Sequence, residues 1–132
     1  MIFRDSFEVQ TKILNYANIT KEIQQIVEKS KIKEGICHLF LPATTAGIMV
    51  NEMDHFLIED FKRFFREIAS EERMYAHTDN AHSHIRAAML SQSISFPVSR
   101  GKIMLGAWQS ILLWEFDIKD RKRKIIITIT GI

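Results

Sequence analysis

The chain has only one cysteine, Cys37, so no disulfide can form within it. That scarcity suits a reducing compartment such as the cytoplasm. No apolar stretch approaches the ~20 residues needed to span a bilayer, and the first ten residues, MIFRDSFEVQ, carry charges where a secretory leader would be apolar. Neither a membrane span nor a membrane partner is expected. An excess of charge is missing too: the net value is +2 over 132 residues, which does not suggest a nucleic-acid partner. The one dense basic run, KDRKRK at 119–124, reads as a solvated turn. Linkers, repeats and low-complexity segments are absent, so residues 1–132 read as one domain with a single core. The zinc-finger and zinc-protease spacings and a Walker-type phosphate loop are also lacking.

What is present alternates between two periodicities. Phe7, Val9 and Thr11 alternate with polar residues, which predicts a half-buried strand over 3–14. ITKEIQQIVEKS sets Ile19, Ile23, Ile26 and Val27 on one helical stripe with Thr20 as N-cap. GICHLFLP and GIMVNE read as short strands able to pair across the turn ATTA. DHFLIEDFKRFFREIAS spaces Leu57, Phe61, Phe64, Phe65 and Ile68 as a helix face, with Asp54 placed to cap it. The remainder, SISFPV, GKIMLG, WQSILLWEFD and KIIITITGI, is rich in β-branched and aromatic residues broken by glycine or charge. The order predicts an α+β fold with largely antiparallel pairing. Alternation puts Trp108, Leu112, Trp114 and Phe116 on one face of a strand and Gln109, Ile111, Leu113 and Glu115 on the other. Both faces are largely apolar, so one is expected to pack on a second sheet or another subunit.

HTDNAHSHIRAAML holds three of the five histidines. As a helix starting at Asn80, it sends His82 and His84 to opposite sides, so they cannot share one metal. His77, Asn80 and His84 can converge. His82 is then expected to face water, and His38 to be a satisfied core histidine. A second polar cluster runs through ATTAGIMVNEMD. There, turn chemistry and helix capping explain Thr44, Thr45 and Asp54 better than they explain Asn51 and Glu52. Gln109, inside an apolar strand, needs a hydrogen-bond partner if buried.

Taken together, TTAGIMVNEMDHFLIEDFKRFF, HTDNAHSHIRAAML, FPVSRGKIMLGAWQSILLWEFD and DRKRKIIITITG resemble the YjbQ-like family, whose members are associated with a secondary thiamine-phosphate synthase activity. The resemblance covers nearly the whole chain. It implies mainly antiparallel sheets packed sandwich-like with flanking helices, assembled as a homotrimer with sites near subunit contacts, and it places His84, Asn80, Glu52, Asn51, Thr45, Gln109, Gly106, Trp108, Arg121 and Arg123 at the family's shared positions. The implied activity joins a pyrimidine diphosphate to a thiazole phosphate, so the implied partner is a small phosphorylated metabolite. His84 and Glu52 are the expected catalytic pair, which requires them within ~8 Å in one subunit or across two, since strong charge coupling reaches roughly 4–6 Å. Thr44, Thr45, Asn51, Asn80, Gln109 and Arg86 are the expected ligand-binding set, with Arg100 a further basic candidate. His77 and His84 are candidate ligands of a divalent metal, zinc or magnesium. One position departs from the pattern: relatives commonly carry a histidine where this chain has Ala43, and alanine can neither ligate a metal nor move a proton. Two other readings follow, a non-catalytic binder of a small anion or metal and a metal-dependent hydrolase.

Overall fold

The computed structural model describes residues 1–132. Its elements are β1 (Ile2–Gln10), β2 (Asn15–Asn18), α1 (Thr20–Ser30), β3 (Gly35–Phe40), β4 (Ala46–Asn51), α2 (His55–Ile68), α3 (Ala81–Ala88), β5 (Ser93–Ser99), β6 (Lys102–Ile103), β7 (Ser110–Glu115) and β8 (Lys122–Gly131). They make two antiparallel sheets, β1-β8-β3-β5-β6 and β2-β7-β4. β3 and β4 do not pair with each other, as their nearness in sequence suggests; each belongs to a different sheet. The alternation explains why. Cys37 and Leu39 on β3 and Ala46 and Ile48 on β4 are all buried in one core, and facing sheets bury both sets where a hairpin would leave one face in water.

That core lies between the sheets and takes in the Ile19, Ile23 and Val27 stripe of α1. α1 begins one residue earlier than expected. Ile19 occupies the cap position without a side-chain bond, while the Thr20 hydroxyl accepts from the Ile111 N–H at 2.8 Å and donates to Asn18. A second core lies on the other side of the three-stranded sheet, where Leu112 and Trp114 of the central strand β7, with Phe116 just after it, meet Ile58 and Phe65 of α2 and Ala87 of α3. Asp54 caps α2 as expected, accepting from the Leu57 N–H at 3.0 Å.

β7 decides between the two coverings expected for its apolar faces, a second sheet or another subunit. Its residues Ile111, Leu112, Leu113 and Trp114 are buried to 0% exposure within a single chain, covered on one face by the sandwich core and on the other by α2 and α3. No second subunit is needed to cover them. Trp108 and Gln109 precede the strand, in an exposed turn. No helix is long and apolar enough to cross a membrane.

Candidate functional site

α3 and the residues just after it pack on β4. Gly47 lies so close to Leu90 that a Cβ there would stand 2.6 Å from the Leu90 side chain. This contact seats the helix against the three-stranded sheet and brings His84 beside the loop that leads into β4. Phe40, Leu41, Pro42, Ala43, Thr44 and Thr45 of that loop, with Asn80, His84, Gln92, Asp117, Arg121 and Arg123, line a cleft of about 570 Å³.

Two carboxylates anchor two guanidinium groups there. Glu115 is fully buried, and Arg123 donates to it from Nε at 2.7 Å and from Nη2, while Nη2 also reaches the Thr45 hydroxyl at 2.7 Å. The Thr11 hydroxyl donates to the same carboxylate at 2.6 Å. Asp117, 2% exposed, accepts from Arg121 Nε at 2.8 Å and from the Ile118 N–H. Burial by itself would raise the Asp117 pKa. The hydrogen bonds from Ile118, Asn80 and Arg121 outweigh it and hold the group down to about 2, so it stays ionised through the neutral range. Neither arginine's Nη1 makes a hydrogen bond within the chain, and both side chains border the cleft.

The ionised Asp117 has a second effect. A carboxylate only accepts, so the Asn80 amide must present Nδ2 to it, at 3.2 Å. Asn80 Oδ1 then faces His77 Nε2 at 3.0 Å, which puts a proton on Nε2 of His77. Asn80 holds the cap position of α3, but its side chain makes no capping bond, because Asp117 and His77 occupy it. The His77 and His84 rings stand perpendicular with centroids 5.2 Å apart. The His84 side chain has no hydrogen-bond partner in the chain, which leaves its ring nitrogens available to a ligand.

Several expected site residues lie elsewhere. Asn51 and Glu52 close the opposite end of β4, beside Ser110. From Thr45 to Glu52 the strand covers ~23 Å at about 3.3 Å per residue. Within one chain, therefore, Glu52 does not meet His84. Gln109 shares the Glu52 end, exposed, its Oε1 accepting from the Gly106 N–H at 2.7 Å. Arg86 is fully buried and away from the cleft. It donates to the carbonyls of Phe65 at 2.9 Å and Ala69 at 2.8 Å, satisfying the end of α2, where a cation also suits the helix dipole. Arg100 sits in the β5–β6 turn, its N–H bonded to Glu34. His82 is buried instead of facing water, and burial, helped by Arg86, pushes its pKa down. His38 is half-buried on the outer face of the large sheet, bonded to Ser93 at 2.7 Å. Cys37 is buried, which pushes its thiol up to about 12 and removes it as a nucleophile.

Sequence reasoning missed Glu115, Asp117 and Gln92. A signal was there: acidic residues two apart in WEFD and arginines two apart in RKR each fall on one strand face. The basic run is thus only half a solvated turn, with Lys122 and Lys124 exposed and Arg121 and Arg123 turned to the carboxylates.

The model of the UPF0047 protein YjbQ-like family matches residues 5–132. The chain belongs to this family. The UPF0047 protein YjbQ of Escherichia coli O157:H7 is 32% identical over 137 residues, covering 99% of each chain. A UPF0047 protein of Archaeoglobus fulgidus is 33% identical over 119 residues, 88% of this chain and 91% of its own. Among solved structures, a YbjQ-like protein of unknown function from Sulfolobus solfataricus P2 superimposes with a TM-score of 0.94 at 38% identity, over 100% of this chain and 99% of its own. A hypothetical protein from Aeropyrum pernix K1 gives 0.92 at 30% identity, over 98% and 99%.

For this YjbQ-like chain a resident metal does not fit the donors of one subunit. No three His, Cys, Asp or Glu side chains are grouped to hold an ion, and His77 and His84 supply two donors where a catalytic zinc uses three. Ala43 lines the same cleft as His84. Ala43→His is therefore expected to raise zinc affinity at least about tenfold in a titration at neutral pH. An unchanged affinity would place position 43 outside any metal site.

Proposed function

We propose that the chain binds a small phosphorylated metabolite in the Arg121–Arg123 cleft, with His84 as the acid/base group. The observation that carries this reading is a pair of guanidinium groups, each pinned from behind by a buried carboxylate. Both line the cleft that holds an unpartnered imidazole, and neither uses its Nη1 in a hydrogen bond within the chain. Guanidinium donors match phosphate oxygens in geometry and charge, and pinning them lowers the ordering cost on binding. The Thr44 hydroxyl, on the cleft wall, adds a neutral donor.

The specific activity that the family resemblance selects is thiamine-phosphate synthesis. In that reaction the thiazole nitrogen bonds to the methylene carbon of the pyrimidine diphosphate as the carbon–oxygen bond to pyrophosphate breaks. Negative charge grows on the departing oxygens, where fixed N–H donors stabilise the transition state more than the ground state. His84 would supply or take the proton that settles the products' charge. Ala43 favours the alternative of binding without turnover. So does the charge balance of the cleft, where each arginine is already offset by a carboxylate.

The test combines both substrates with the protein and follows thiamine phosphate, while calorimetry follows the binding of each. Turnover supports the synthase, binding alone supports the non-catalytic binder, and neither sinks the cleft reading.

The same reading includes a homotrimer, in which the Glu52 and Gln109 end of one copy comes to the His84 cleft of another. β7 no longer argues for assembly. Exposed apolar side chains elsewhere do: Trp108 at 76%, and Ile36 and Phe40 on the open face of the large sheet at 52% and 42%. Light scattering after size exclusion is expected to give three times the 15.4 kDa chain mass. The chain mass itself refutes an oligomer, and twice that mass refutes the trimer.

A further inference from the structure

A second cavity adjoins the cleft on the other side of His84. It has a volume of about 430 Å³ and is walled by Tyr75, Ala76, His77, Ala81, His84 and Ile85. The two cavities differ in chemistry. The first is bordered by hydroxyls, amides, a carboxylate and two guanidinium groups, while the wall of the second is almost wholly apolar. His84 is common to both.

The second cavity is held in shape by bonds made outside it. The Tyr75 hydroxyl donates to the Ser70 carbonyl at 2.7 Å, which fixes the ring from its far end. His77 is held by Asn80, which Asp117 holds in turn. The perpendicular arrangement of His77 and His84 offers an edge from one imidazole and a face from the other. None of these bonds is needed to fill a core, since Tyr75 is half-buried, His77 exposed and Ile85 40% exposed. Aromatic side chains fixed around an apolar hollow that solvent still reaches are what a flat ring requires, and stacking adds to burial.

We propose that this hollow is a ring subsite. The ligand is then an uncharged planar ring on Tyr75, His77 and Ile85, joined by a short linker to a phosphate in the arginine cleft, with the linker passing His84. This deepens the reading of the cleft as a phosphate site and rests on it. The chemistry discriminates against two simpler ligands. A bare phosphate leaves the apolar wall uncovered, and a ring without an anion leaves the arginine edges unpaired.

Calorimetric titration of the full chain with methyl phosphate, benzyl phosphate and benzyl alcohol separates these cases. Benzyl phosphate is expected to bind about tenfold more tightly than methyl phosphate, and benzyl alcohol more weakly than benzyl phosphate. In Ile85→Asn the benzyl-to-methyl preference is expected to fall at least about threefold, and in Ile85→Leu to persist. Because Ile85 is partly exposed on a helix, both variants should fold, which circular dichroism checks. Equal affinities for benzyl and methyl phosphate overturn the ring subsite and leave the phosphate cleft standing. A preference that survives in Ile85→Asn also overturns it. Failure of both phosphates to bind overturns the cleft reading, and the ring subsite with it.

Discussion

Arg123→Leu is expected to destabilise the protein by about 3–5 kcal/mol, measured as the loss of unfolding free energy in urea. Glu115 is completely buried, and its carboxylate is neutralised by Arg123 alone among charged side chains, with Thr11 and the Asp117 N–H as further donors. Removing the cation leaves a buried charge that the remaining donors cannot balance, and breaking a buried pair from one side costs an amount of this order. The double variant Glu115→Met with Arg123→Leu is expected to recover most of the loss, because an apolar pair of similar volume needs no charge balance. If the single variant loses less than ~1 kcal/mol, the pair is not the internal anchor described here, and the pinned geometry of the cleft loses its basis.

His84→Asn carries the largest expected effect on function. If the cleft turns over a phosphorylated substrate, the rate is expected to fall by about 10²–10⁴-fold, the usual contribution of a positioned acid/base group. Stability should change little, since the His84 side chain is only part-buried and makes no hydrogen bond within the chain. The measurement is thiamine-phosphate formation at saturating substrate, with circular dichroism to confirm folding. A variant that retains wild-type rate removes His84 from the chemistry whatever its place in the cleft. The comparison with Asn80→Ala is informative. Asn80 links Asp117 to His77 and makes no side-chain hydrogen bond to His84. Its loss is expected to alter affinity for a ring-bearing ligand more than the proton-transfer rate.

Local features were legible because their causes are short-range. The 3.6-residue stripe of α1, the Asp54 cap of α2 and the alternation of β1 and β8 depend on residues within a few positions of one another. The same holds for part of the site. His77, Asn80 and His84 lie within one turn before and one turn into α3, so helix geometry brings them together wherever the helix is placed. Arg86, read as a binding residue, shows the limit. Its type was compatible with phosphate binding or with a helix terminus, and only the position of α2 decides between them.

The chain's sequence by itself determined the element types, the antiparallel α+β class, the family, and the cluster at the start of α3. The tertiary structure alone decided that β4 pairs with β7 and not β3, that Asp117 and Glu115 meet Arg121 and Arg123, and that Glu52 and Gln109 lie at the far end of the small sheet. The division has one physical origin. A periodicity or a cap is a property of neighbouring residues, whereas the choice of strand partner is settled by which arrangement buries every apolar face at once while leaving no buried charge unpaired. That condition couples Thr11 to Glu115 and Thr45 to Arg123 across more than seventy positions of chain, and it is satisfied only by the whole fold.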